Sequence, residues 1–385
     1  MIKTRYYDDF ITYFHLAKDQ QEKCNVPNFM PHMESGMNDD LMENVELYDV
    51  VERKYAGFSQ IINDCFYGWT EDHPYWARMQ AGAATGQREL VAKNWTGKNH
   101  DLETWLFLFI LHRITGSAIN YATKPSGYHN TILFKLHLAD NIDQMKQIIK
   151  AEGKIGKPFY TSVGYQFPAF PKPTDEYKKG GDYYLCEYAP KLANELASFL
   201  EKGGRKDLRE IGEFMLSWNQ EHGLRRYAFQ YAAVVADIAD WFPQFVNRES
   251  MFYYGTNAVE CISYLGENNN KLKREDFLDE VMLQIFEDTG SVPYNAEDVC
   301  CDYIRWVENY IRPGADYAHL DFDKIWSSSN IKDHPRGRQK AMLDLGLVET
   351  FNGITAHPSD LKVLNDNNVG VEEYQAMVKS YGAIS

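Results

Sequence analysis

Long apolar runs are missing from this chain of 385 residues. Its longest uninterrupted apolar stretch, residues 105–111, holds seven residues, against the roughly 20 needed to cross a bilayer as a helix. That run is read as core and not as a membrane span. Paired cysteine motifs are missing too. Cys24, Cys65, Cys186, Cys261, Cys300 and Cys301 form no Cys-x-x-Cys pair, and adjacent Cys300 and Cys301 are poorly placed to bond each other. Free thiols in a reducing compartment are therefore expected, with no zinc site and no iron–sulfur cluster. Residues 1–9 contain no apolar leader segment or small-residue cleavage site, so the expectation is a cytoplasmic protein.

A basic excess is also lacking. The chain has 40 basic and 55 acidic residues, a net charge of −15, whereas a generic polyanion binder leans the other way. Any nucleic-acid contact must be local, and residues 146–157 and 332–340, each with four basic residues against one acid, are the two stretches able to supply it. A merely solvated lysine-bearing face is the plain alternative for both. No phosphate-binding loop occurs; Thr96, Gly97, Lys98 and Asn99 make only a fragment, with no strand before it. Gly-x-Gly-x-x-Gly, Glu-x-x-His and His-Glu-x-x-His are absent as well. These absences exclude a P-loop kinase, a dinucleotide-binding fingerprint and the common zinc and di-iron sites.

What is present is an ordinary globular composition, 44% hydrophobic and 25% charged, which argues against long disorder. The length exceeds what one core usually fills, so two lobes, or one large domain with an appendage, are expected. Helical periodicity dominates, no alternating strand pattern of convincing length appears, and no internal repeat is found. The expected class is all-α.

The expected organisation has three parts. Residues 1–100 form an N-terminal helical segment, interrupted at Pro27, Pro31 and the polar stretch 34–40, helical again over 44–62, then turning at 68–74. Residues 101–320 form the core. Within it Asp101 caps a buried helix running to 121, and 128–151 is helical with its second piece starting at Asp140 or Asn141. An irregular Pro- and aromatic-rich loop covers 153–173. Helices over 182–200 and 207–221 are split by Gly203 and Gly204, 224–246 is a second buried helix, and further helices cover 257–265, 273–288 and 296–311. Residues 321–385 make a helical C-terminal appendage.

Polar groups inside the greasy helices are the candidates for chemistry. His112 and Arg113 end the apolar run, and burying a guanidinium unpaired costs several kcal/mol. Its partner is either an internal carboxylate or an anionic ligand, which the fixed fork of Arg suits. The small residues 115–118 allow close approach of a backbone or a substrate. Gln230, Asp237 and Asp240, spaced by seven and three, fall near one helical face and line a polar pocket or an exposed stripe. Tyr165 and Gln166, in the irregular loop, combine a ring and a planar amide suited to the face and edge of a nucleobase, a pairing also common in packed loops.

The strings Leu-His-Arg-Ile-Thr-Gly-Ser-Ala at 111–118, Tyr-His-Asn-Thr at 128–131 and Ser-Val-Gly-Tyr-Gln-Phe-Pro at 162–168 resemble the α-glutamyl/putrescinyl thymine pyrophosphorylases, also described as amino acid:DNA transferases. The stretches 229–237, 250–258 and 297–303 resemble the same group, and together the likeness covers residues 101–311. It implies a helical core like that of the helix-hairpin-helix DNA glycosylases and a role in bacteriophage thymine hypermodification, in the host cytoplasm. The implied reaction is attack by an amine or amino acid on the methylene of a 5-hydroxymethyluracil in DNA that carries a diphosphate, with pyrophosphate leaving. The basic balance and lysine–aspartate signature of true glycosylases are lacking, so base excision is not expected.

Such a reaction needs an everted base, at a cost of a few kcal/mol that stacking aromatics offset; the 55 Phe, Trp and Tyr residues supply them readily. It needs cations aimed at the departing diphosphate, with Arg113 first, Lys154 or Arg338 next, or a bound Mg²⁺. It needs a base for the attacking amine, from Asp237 or His129, and Arg226 to hold an amino acid's own carboxylate. Tyr165, Gln166, Asn130 and Gln230 complete the expected substrate contacts. The expected partners are DNA carrying modified thymine and a free amino acid or polyamine, with no membrane. Two alternatives stay open: a non-catalytic helical reader of modified DNA, and a helical enzyme acting on a small metabolite.

Overall fold

The computed structural model describes residues 2–24, 51–55, 59–68, 70–73, 99–115, 136–154, 170–225 and 231–306. Among these the chain is mostly helical, and its four strands have two residues each. β1 (Ile2–Lys3) pairs antiparallel with β4 (Gly266–Glu267), and β2 (Lys206–Asp207) pairs parallel with β3 (Val246–Asn247). The helices are α1 (Arg5–Cys24), α2 (Gln60–Tyr67), α3 (Leu102–Thr115), α4 (Ile142–Lys154), α5 (Gly180–Tyr183), α6 (Ala189–Glu201), α7 (Leu208–Glu221), α8 (Ala232–Trp241), α9 (Thr256–Leu265), α10 (Arg274–Thr289) and α11 (Pro293–Trp306). None of the described helices is long and apolar enough to cross a membrane.

Local chemistry sets several boundaries. Asp101 Oδ1 accepts the Thr104 N–H at 2.9 Å, so α3 starts with the N-cap read from the sequence. That capping holds the Asp101 carboxyl below its usual range. Residues 104–114 are buried on every side, as a helix apolar all round requires. Asn141 caps α4 through the Gln144 N–H at 3.0 Å, while Gln144 Oε1 reaches back to the Asp140 N–H at 2.8 Å. Gly203 and Gly204, at φ 80° and 83°, break the chain between α6 and α7 as expected, in a region of backbone space that glycine enters without strain.

Two expectations fail. The buried helix read over 224–246 is helical over Ala232–Trp241, after which a 3₁₀ turn, Pro243–Phe245, leads into β3. The helix read over 44–62 is, at 51–55, a bend followed by a 3₁₀ turn, Arg53–Tyr55; α2 begins at Gln60. The cause is side-chain capture of backbone donors. Gln21 Oε1 accepts the N–H groups of Val51 and Glu52 at 2.9 and 3.1 Å, and Asn295 Oδ1 accepts that of Arg53 at 3.2 Å. Donors that would otherwise need a helical carbonyl are satisfied from outside.

Two hydrophobic cores result. The first gathers α2, α3, α4, α6, α7 and α8 around Trp105, Phe109, Leu192 and Val235. The second joins α1 to α9, α10 and α11 around Phe10, Tyr13, Ile262 and Tyr303. Helix α11 belongs to both, with Tyr294 in the first core and residues from Ala296 onward in the second. A charged pin also links them: Arg209 of α7 forks onto Asp279 of α10 at 2.7 and 2.6 Å, donates to the Phe252 carbonyl, and is joined by the Tyr254 hydroxyl on the same carboxylate at 2.6 Å.

Gly180 opens α5 against the backbone at Pro171, whose carbonyl oxygen would stand 2.3 Å from an added Cβ. Gly180→Ala is expected to lower stability by about 1–3 kcal/mol, despite alanine's better helix propensity. A shift in the urea midpoint without a change of slope checks this; an unchanged or raised midpoint refutes it.

Candidate functional site: a buried charge cluster between the two cores

Four elements bring charged groups together where the cores meet. Helix α3 contributes Arg113, α8 contributes Asp237 and Asp240, the 3₁₀ turn contributes Arg53 and Lys54, and α11 contributes Tyr294, Asn295 and Asp298. Arg248, just after β3, closes the set. In water these groups would cost nothing. Buried, each charge needs a partner.

The tightest pairing is Arg113 with Asp237. Nε donates to Oδ2 at 2.7 Å and Nη2 donates to Oδ1, a two-pronged fork between side chains 5% and 1% exposed. Burial pushes the Asp237 carboxyl up, and Arg113 and then Arg53 pull it back toward the ionised form. Of the two partners the sequence leaves open for Arg113, the structure shows the internal carboxylate. The roles first assigned to these residues, cation for the leaving diphosphate and base for the amine, therefore do not suit them: each neutralises the other in the interior. Both aspartates of α8 are buried, so the exposed-stripe reading of that face fails for them.

Asp240 is held differently. Tyr294 Oη donates to its Oδ1 at 2.7 Å, and Arg248 approaches the same oxygen at 3.6 Å while donating to Tyr294 Oη through Nη2 at 2.6 Å. Among the described residues no guanidinium fork grips this carboxylate. Burial pushes it up to about 6, with Tyr294 and Arg248 opposing and Asp237 adding to the rise. Arg248 is 42% exposed at its side chain, so the Asp240 end of the cluster faces outward.

Lys54, half-buried, donates to Tyr67 Oη. Desolvation lowers its ammonium below the usual lysine range, although Asp240, within electrostatic reach, acts the other way. Arg53, 1% exposed, binds Asp298 Oδ1 at 2.8 Å and lies within electrostatic reach of both aspartates of α8. A carboxyl with a raised pKa, a depressed lysine, a phenol donor and a half-exposed guanidinium are groups of the kind from which proton transfer and anion stabilisation can be built.

The structure thus brings Arg113 and Asp237 together. It places Lys154 as the last residue of α4, with its side chain outside the described residues. His129, Asn130, Tyr165, Gln166, Arg226, Gln230 and Arg338 also lie outside the described residues. Sequence reasoning missed Arg53, Lys54, Arg248, Tyr294 and Asp298. Arg53 and Lys54 fall inside the stretch read as helical over 44–62, where nothing singles them out, and Arg248 sits in a short turn with no pattern around it. The one usable signal was the polar density of residues 294–298 at a helix start.

Comparison with protein-family models, with curated proteins and with solved structures finds no match to this chain.

Two outcomes are expected. Arg113→Met alone leaves the Asp237 charge buried and lowers stability by about 3–5 kcal/mol, whereas Arg113→Met with Asp237→Leu recovers most of that loss; equal effects in denaturant melts would rule out the pairing. Asp240 has a folded pKa raised above its ordinary 3.8. Between about pH 4 and 6 the folded chain keeps a proton that the unfolded chain releases, so this contribution is present below pH 4 and is lost as pH rises through 6. Asp240→Asn should flatten that part of the stability–pH curve and raise stability at pH 7 by about 2–3 kcal/mol. A variant less stable than the parent at pH 7 would contradict the assignment.

Proposed function

We propose that this chain is a DNA-modifying transferase. It replaces the diphosphate of 5-(pyrophosphoryloxymethyl)uracil in DNA with an amine or amino acid and releases pyrophosphate, on a helical core of DNA-glycosylase type. The motif resemblance over residues 101–311 supplies the reaction, and one observation supports its placement: Asp240 is a buried carboxyl whose pKa is pushed up to about 6, beside Arg248 and Lys54.

The chemistry assigns roles. The attacking nitrogen forms a C–N bond to the methylene as the C–O bond to diphosphate breaks, and Asp240 takes the proton the nitrogen sheds. Arg248 and Lys54 face the negative charge that develops on the departing diphosphate. Tyr294 orients the Asp240 carboxylate through its 2.7 Å hydrogen bond. Arg113 and Asp237 hold α3 to α8 beneath this constellation. His129, Asn130, Tyr165, Gln166, Gln230, Arg226, Lys154 and Arg338 remain the proposed contacts for the everted base, the DNA and the incoming amine.

A second reading, an enzyme acting on a free small metabolite, is favoured by the net charge of −15. A third reading, a reader of modified DNA, differs only in lacking turnover.

The test is incubation with pyrophosphorylated hydroxymethyluracil DNA and a mixture of amino acids and polyamines, with and without Mg²⁺, followed by digestion to nucleosides and mass spectrometry. A new aminated nucleoside is expected, lost by at least about 100-fold in Asp240→Asn while that variant melts at a higher temperature. Binding of the DNA without a product, weakening steeply with salt, points to the reader. No binding at low salt points to the small-metabolite enzyme.

A further inference from the structure

A cleft of about 610 Å³ lies away from the charge cluster, walled by Tyr177, Tyr183, Tyr188 and His222, with Glu187 and Lys191 on its lining. Its volume falls in the range of small-molecule sites. The walls exist because of a local defect in the helix. Between α5 and α6 the residues Tyr184–Tyr188 form a π turn, in which the Ala189 N–H donates to the Tyr184 carbonyl five residues back. Residues five apart on an α-helix point about 140° apart, whereas the wider π turn brings them closer to the same side of the helix. Tyr183 and Tyr188 are brought together this way, their rings 5.3 Å apart at 86°. Tyr177 stacks on Tyr183 at 5.1 Å, and His222 stacks on Trp218 at 3.8 Å.

We propose that this cleft binds a small quaternary ammonium ion, held by tyrosine faces and a nearby carboxylate field. The inference does not rest on the transferase reading. One of these rings already holds an alkylammonium: Lys150 Nζ stands 4.9 Å over the Tyr177 ring and 2.8 Å from Glu176. The carboxylates are engaged: Glu187 accepts from Tyr177 Oη at 2.5 Å, Glu176 from Lys150, and Asp175 lies 3.7 Å from Lys178. They contribute field more than open acceptors, which favours a cation that needs no hydrogen bonds over a primary ammonium. Lys191 is exposed, and its flexible stem keeps its ammonium in water.

The test titrates the full chain with choline, with its uncharged isostere 3,3-dimethylbutan-1-ol, and with n-butylammonium, by calorimetry. Choline is expected to bind one site at least about 10-fold more tightly than the isostere, and more tightly than n-butylammonium. Tyr183→Leu should weaken choline about 10-fold and Tyr183→Phe should not. Should Tyr183→Leu unfold, Glu187→Gln provides the check, with an expected loss of about 2- to 5-fold. Equal binding of choline and its isostere, preference for n-butylammonium, no choline binding, or no loss in these variants would overturn the proposal.

Discussion

The cost of burying charge organises this molecule. Two hydrophobic cores form from helices far apart in the chain, and the space between them holds Arg53, Arg113, Asp237, Asp240 and Asp298 with little access to water. An ion in such a place is stable only when matched. The Arg113–Asp237 fork and the Arg53–Asp298 pair are those matches, and they fix how α3, α8, α11 and the 51–55 turn stand relative to one another. If the pairs were replaced by apolar residues of similar size, the cores would still pack; the placement of the neighbouring polar groups would lose its frame.

Within that frame one helix carries two carboxylates with different tasks. Asp237 and Asp240 are three residues apart on α8 and share a face. The first is gripped by a guanidinium fork; the second, among the described residues, is held by a phenol and a more distant, half-exposed arginine. Environment alone therefore separates them, one quenched and one poised near neutrality. The two-helix geometry that buries Asp237 also carries Asp240 to the outer end of the cluster, so the structural pair and the carboxyl proposed for chemistry are coupled through the helix's register.

Much of this fold was legible in the sequence because the signals were local. Asp101 before an apolar run, Asn141 ahead of Gln144 and the Gly203–Gly204 pair each mark a boundary by side-chain or backbone chemistry within a few residues, and the structure places boundaries there. The 51–55 segment was misread because its determinants are Gln21 and Asn295, about 30 and 240 residues away. The cluster followed the same rule. Arg113 announced itself as a cation in an apolar helix, and its need for a partner was evident, but the identity of that partner depended on how α3 meets α8. Arg248 and Tyr294, 46 residues apart, carry no pattern that relates them. The π turn was equally hidden, since nothing in the 184–188 stretch distinguishes it from ordinary helix.

The acidic balance of the chain bears on how it can meet DNA. With a net charge of −15, long-range attraction to a duplex is unfavourable, so contact with phosphate must come from short basic stretches acting within a Debye length, about 8–10 Å at physiological salt. Lys150, in one of the two stretches, is already committed to Glu176, which leaves fewer free cations there than the sequence count suggests. A transferase of this kind would gain affinity from the everted base and its diphosphate more than from the backbone. In the proposed reaction the modification itself, an added diphosphate with a high local negative charge, would be the feature that Arg248 and Lys54 distinguish from unmodified thymine, so that the same cations would serve recognition and leaving-group stabilisation.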